Sequence, residues 1–166
     1  IRIIGISFSL SILLSFISEI TVPNLNLVLG ILVALVFVAI GILFDIIGVS
    51  VTASDEKVFH SMNSRKVKGA DIAVKFKKNS EKVSSFCCDV VGDICGVISG
   101  STAVAIANMI SKSFNFNLLI TTLLVTAIIS SLTIGGKAIG KSFAINKCDI
   151  ILYEFSKFIS NFYKCK

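Results

Sequence analysis

LVLGILVALVFVAIGILFDIIGVSV, residues 27–51, is twenty-five residues long and carries one ionisable side chain, Asp45. A helix needs ~20 apolar residues to cross ~30 Å of hydrocarbon, so this stretch can span a bilayer. Hydrocarbon offers backbone groups no water, and a helix satisfies them internally. Three more runs read the same way: Ile3–Ile20, Phe86–Ile110 and Leu118–Gly136. The expected fold is an all-α membrane protein with four transmembrane helices. In a chain of 166 residues, four spans and their joints leave no room for a separate soluble domain. Residues 1–166 are therefore expected to form a single transmembrane domain.

Charge placement orients the spans. A net charge of +6 raises the question of nucleic acid, but eight of the sixteen basic residues lie between Lys57 and Lys82 and six more follow Gly136. The turn Thr21–Asn26 has no Lys or Arg, and Ser111–Asn117 has only Lys112. Basic loops stay cytoplasmic, so both blocks and both termini are expected inside the cell membrane and both short turns outside. The first run could instead be a signal peptide. It has no charged n-region beyond Arg2 and no small-x-small site leading into a soluble domain, so a retained helix is expected.

Between the spans the pattern becomes amphipathic. Within residues 55–85, Val58, Phe59, Met62, Ala70, Ala73, Val74 and Phe76 recur at helical spacing, giving one or two short helices broken near Gly69. Their lysine-rich faces suit an anionic leaflet, making this a cytoplasmic interfacial hairpin. After Gly136, residues Ile151, Phe155, Phe158 and Phe162 repeat every three or four positions. Residues 144–163 are thus expected to form an amphipathic helix on the inner surface or against a partner subunit. Pro23-Asn24 marks a tight external turn. The five cysteines (Cys87, Cys88, Cys95, Cys148, Cys165) form no C-x-x-C pair and read as reduced thiols packed in helices.

Span three carries Gly92, Gly96 and Gly100 in strict four-residue register. Such a stripe lets another helix backbone approach closely, within the subunit or across a dimer. Ionisable groups inside spans point to a functional site. Asp45 lies about 10 Å above the Thr52–Ser54 exit of span two, and Asp93 about 10 Å into span three, so the two are expected at one level. Asp89 and Asp93, four apart, share a helix face. Asp93, Asp45, Ser54 and Asp55 offer the hard oxygen atoms that magnesium prefers. A buried ion pair competes with that reading, because Lys137 ends span four and its stem could reach toward Asp93. The lone His60 has no H-E-x-x-H neighbour, and no Ser/Lys or paired-Asp peptidase motif accompanies it, so no enzyme is expected.

Four segments in order carry a resemblance. Gly136-Lys137-Ala138-Ile139-Gly140-Lys141-Ser142-Phe143-Ala144 is similar to a G-E-x-x-P-K-S-x-A segment, and Val91-Gly92-Asp93 to the start of V-G-N-N-x-x-N. Ser54-Asp55 with Val58-Phe59 is similar to S-E-x-A-x-F, and Lys68-Gly69-Ala70 to a basic G-A step. From about Leu43 to Phe158 the chain thus resembles the membrane domain of the CorB/CorC and cyclin M (CNNM) magnesium transporters. The resemblance implies a homodimer of three-helix units with a juxtamembrane hairpin, the first helix here being extra. It also implies handling of magnesium or cobalt ions. The departures fall on the ion site: the family's glutamate is Lys137, its proline Gly140, one asparagine Asp93 and another Val97. A carboxylate has become an ammonium, and an amide has become a carboxylate. The nucleotide-sensing CBS pair is absent, so nucleotide sensing in the family's manner is not expected. Two functions follow: divalent-cation transport, or a non-transporting assembly or regulatory module whose ion site is replaced by an Asp93–Lys137 pair. Neither involves nucleic acid.

Overall fold

The computed structural model describes residues 5, 8, 9, 11–13, 15, 16 and 26–162. Those up to residue 16 are helical, but most of the expected first span, Ile3–Ile20, lies outside the described residues, as do the Pro23-Asn24 turn and Cys165. The described chain is helical without strands: α1 (Leu27–Ala53), α2 (Glu56–Ser64), α3 (Ala70–Lys78), α4 (Ser80–Ser85), a π-helical segment Phe86–Gly92, α5 (Asp93–Phe114), α6 (Leu118–Asn146) and α7 (Cys148–Phe162). Three stretches are long and apolar enough to cross a membrane: Leu27–Ala53, Ser80–Phe114 and Leu118–Asn146.

The last long helix, α6, runs ten residues past Gly136, to Asn146. Gly135, Gly136 and Gly140 do not stop it, and Ala144–Asn146, expected in the C-terminal helix, close α6 instead. The C-terminal helix begins at Cys148. In the interfacial segment the break does fall at Gly69, whose φ of 88° lies in the left-handed region that favours glycine.

Contacts divide the chain into two compact units, one of Ile1–Ile42 with Val90–Gly136 and one of Leu43–Asp89 with Lys137–Lys166. In the first, α1 presents Gly30, Ala34, Val38 and Gly41 at helical spacing, and all four are buried. Small residues allow close backbone approach. A Cβ built at Gly41 would lie 3.1 Å from Cys95 Cβ and 3.5 Å from the Gly92 carbonyl oxygen of α5's entry. One built at Gly136 would collide with Ile42. Val90, Ile94 and Ile98 form the core, with Phe37 against them. Ser99 and Thr102, buried in α5, return their hydroxyl protons to the Gly96 and Ile98 carbonyls (2.9 and 2.8 Å), so no polar group is stranded. An apolar cavity of about 320 Å³ lies among Ile31, Ala34, Val38, Ile106, Ile110, Val125 and Ile129. On α6, Leu119, Leu123, Ile128 and Ile134 are exposed, the surface a helix offers to lipid.

The second unit gathers a core of larger apolar side chains. Val51, Phe59, Ala73 and Leu152 are buried together from α1, α2, α3 and α7, with Ile47, Met62, Val74 and Tyr153 around them. Phe76 stacks on Phe155 at 5.9 Å. Helix ends are satisfied by side chains. Asp55 caps α2 by accepting the Lys57 amide (3.0 Å), and its own amide donates to Asp149 Oδ1 (3.0 Å). Lys77 Nζ donates to the Val51 and Thr52 carbonyls (3.2 and 2.8 Å), placing an ammonium where the dipole of α1 is negative. Glycine at position 69 also permits contact: a Cβ there would sit 2.9 Å from the Lys157 Cα.

Candidate functional site

The buried row of α1 continues past Gly41 through Asp45 and Gly48 at helical spacing. Asp45 therefore points the way the glycines point, and it is 2% exposed. Gly48 is required beside it, since a Cβ there would collide with Cys88 Sγ and lie 3.2 Å from Cys87 Cβ. The π-helical turn, whose wider winding often marks functional positions, carries both cysteines and Asp89. From it the Cys88 thiol donates to the Asp45 backbone carbonyl at 3.7 Å.

Two lysines complete the cluster. Lys137 and Lys141 are four apart on α6 and so share a face. Lys137 Nζ lies 3.9 Å and Lys141 Nζ 3.8 Å from Asp45 Oδ2. The Lys137 side chain is 20% exposed and that of Lys141 is 53% exposed. Asp45 Oδ2 itself is buried and has no hydrogen-bond partner. One carboxylate faces two ammonium groups. Unit charges 4 Å apart attract by about 4 kcal/mol at an effective dielectric constant near 20. A divalent cation placed on Asp45 would meet repulsion of twice that size from each ammonium at a similar distance. Lys141, half in solvent, contributes less than Lys137 because water screens it.

The other expected site residues are placed as follows. Ser54 is buried, with its hydroxyl donating to the Val51 carbonyl at 3.2 Å, as Ser50 donates to Ile46 at 2.7 Å. Asp55 is exposed and serves as the cap of α2. Asp93 is exposed at the first turn of α5 and belongs to the first unit, whereas Asp45, Ser54, Asp55 and Lys137 belong to the second. Among the described residues no three His, Cys, Asp or Glu side chains gather where they could hold a metal ion. The structure gives Lys137 a partner in Asp45, which the sequence reading had not paired with it. Lys141, named in the sequence only within the segment from Gly136 to Ala144, joins the same carboxylate, as its four-residue offset from Lys137 allows. His60 is exposed, 3.2 Å from Glu56 on its own helix. Cys87, Cys88, Cys95 and Cys148 are free thiols.

The glycines of α5 divide. The Gly92 carbonyl faces Gly41, but a Cβ at Gly96 or Gly100 would meet nothing within 4 Å. Along α1 the close approaches fall at Gly41 and Gly48, with an ordinary contact at Gly30. Compared with protein-family models, with curated proteins and with solved structures, the chain matches none.

Proposed function

We propose that this chain is a multi-pass membrane module, similar in plan to the CorB and CNNM membrane domain, in which lysine takes the place of a transported cation. It acts as a non-transporting assembly or regulatory subunit, and it is not an enzyme. The observation that carries this reading is the buried Asp45 carboxylate with Lys137 and Lys141 both within 4 Å of its Oδ2. Two tethered ammonium groups neutralise the carboxylate and repel a free divalent ion. The lysine distribution supports an orientation with both termini and the 55–85 segment cytoplasmic. Gly96 and Gly100, open within the chain, support a second copy as partner.

A second reading, transport of magnesium or cobalt, is favoured by a different observation. Asp45 Oδ2 accepts no hydrogen bond, and Lys141 is half exposed. In that reading Asp45, with Ser54, Asp55 and Asp93, would supply oxygen to the ion.

A double-mutant cycle on thermal stability, with and without magnesium, separates the two. Lys137→Gln alone should destabilise by a few kcal/mol, on the order of the 3–5 found for broken buried pairs, because it weakens the hold on a buried carboxylate. Asp45→Asn with Lys137→Gln should recover much of the loss. Magnesium should leave the wild-type melting temperature and titration calorimetry unchanged, and Lys137→Glu should introduce a binding heat. Wild-type stabilisation by magnesium that disappears in Asp45→Asn would replace the sealed module with the transporter.

A further inference from the structure

The basic residues of the second unit have a fixed place relative to the spanning helices. Lys57 follows the end of α1 at Ala53 by four residues, and Lys78 and Lys82 flank the start of the Ser80–Phe114 stretch. All three side chains are exposed. The segment between these two stretches cannot drift from the point where they leave the hydrocarbon. The Lys77 ammonium holds α3 to the last carbonyls of α1, Asp149 holds the α1–α2 turn, and the Val51–Phe59–Ala73–Leu152 core joins four helices. It is a packed platform tied to the ends of two long apolar stretches, not a loop.

Its charge is in surplus. Eight basic residues stand against four acidic ones between Asp55 and Ser85. Among the described residues no carboxylate lies in ion-pairing range of Lys57, Lys78 or Lys82, while the acidic Glu56 faces His60 on its own helix. Three exposed ammonium groups lie within a few residues of the ends of two stretches apolar enough to cross a membrane, near where phospholipid phosphates would lie. We propose that Lys57, Lys78 and Lys82 form a binding surface for the headgroups of anionic phospholipids in the leaflet that borders this end of α1. Complementary charge supplies the selectivity: a zwitterionic headgroup offsets its phosphate with its own ammonium, and an anionic one leaves it for the lysines. Each lysine near an anionic surface favours it by roughly fivefold.

The test uses the full chain in nanodiscs of equal phosphatidylglycerol and phosphatidylcholine, with the lipids that stay bound counted by native mass spectrometry. The wild type should retain phosphatidylglycerol in excess. Lys57→Gln with Lys78→Gln and Lys82→Gln should cut that excess by about tenfold or more, and the corresponding arginine variant should restore it. Raising salt should shrink the wild-type preference, a readout that stands even where the glutamine variant fails to fold. At matched ionic strength, inorganic phosphate should displace no more lipid than chloride does. Equal retention of the two lipids by the wild type, a preference untouched by the glutamine changes or by salt, or greater displacement by phosphate than by chloride would each overturn the proposal.

Discussion

The two units bury side chains by different chemistry. In the first, helices approach through Gly30, Ala34 and Gly41, polar groups bond to their own helix, and Leu119, Leu123 and Ile134 are left outside. In the second, Phe59 and Leu152 fill a closed core and helix ends are tied by Lys77, Asp55 and Asp149. The difference follows from the solvent. Lipid gives no hydrophobic gain for bringing two leucines together, so a membrane helix packs through small residues and van der Waals contact. Water rewards burial of large apolar groups, the pattern of the Val51, Phe59, Ala73 and Leu152 core.

The sharpest way to break this contrast is truncation of a large side chain in each unit. Phe59→Ala, in the closed core, should cost about 3–5 kcal/mol in unfolding free energy, measured in mild detergent. Leu123→Ala, on the exposed face of α6, should cost close to nothing. Similar losses at both sites would mean that the same driving force acts in both units. Next in size is Gly41→Leu. It forces α1 and α5 apart and should cost about 1–3 kcal/mol or more, as overpacking does. Gly96→Leu should leave the isolated chain unaffected, and any effect should be a loss of oligomer on sedimentation. Destabilisation of the monomer by Gly96→Leu would place those glycines inside the subunit after all. The smallest expected effect is Lys77→Gln, about 1 kcal/mol, from weakened charge-assisted bonds to the end of α1. Faster amide exchange at the last turn of α1 would report it. Unchanged exchange there would remove Lys77 as the tie.

Much of the architecture was legible because it rests on local patterns. The run 27–51 and the turn at Gly69 follow from hydropathy and from one residue's backbone freedom. α6 continues through Gly136 and Gly140 to Asn146, as a helix can through isolated glycines at a modest cost. The charge cluster was half visible. Asp45 stood out as an ionisable group within a span, but its partner depended on which helices meet, and pairing across more than ninety residues leaves no local mark. The stripe Gly30, Ala34, Gly41, Gly48 was overlooked because two of its intervals are not four residues, unlike the regular trio of α5.

The 27 residues of α1 measure about 40 Å along the axis, some 10 Å more than the ~30 Å hydrocarbon layer. Asp45 lies eight residues from the Ala53 end, about 12 Å. The surplus length and the depth of the carboxylate are therefore nearly equal. Where the surplus protrudes on the Ala53 side, Asp45 and its lysines stand at the edge of the headgroup layer, within reach of water. In a membrane a few ångströms thicker, the same cluster is drawn into hydrocarbon, where its charges must satisfy one another. On that placement, bilayer thickness would set how far water reaches the site.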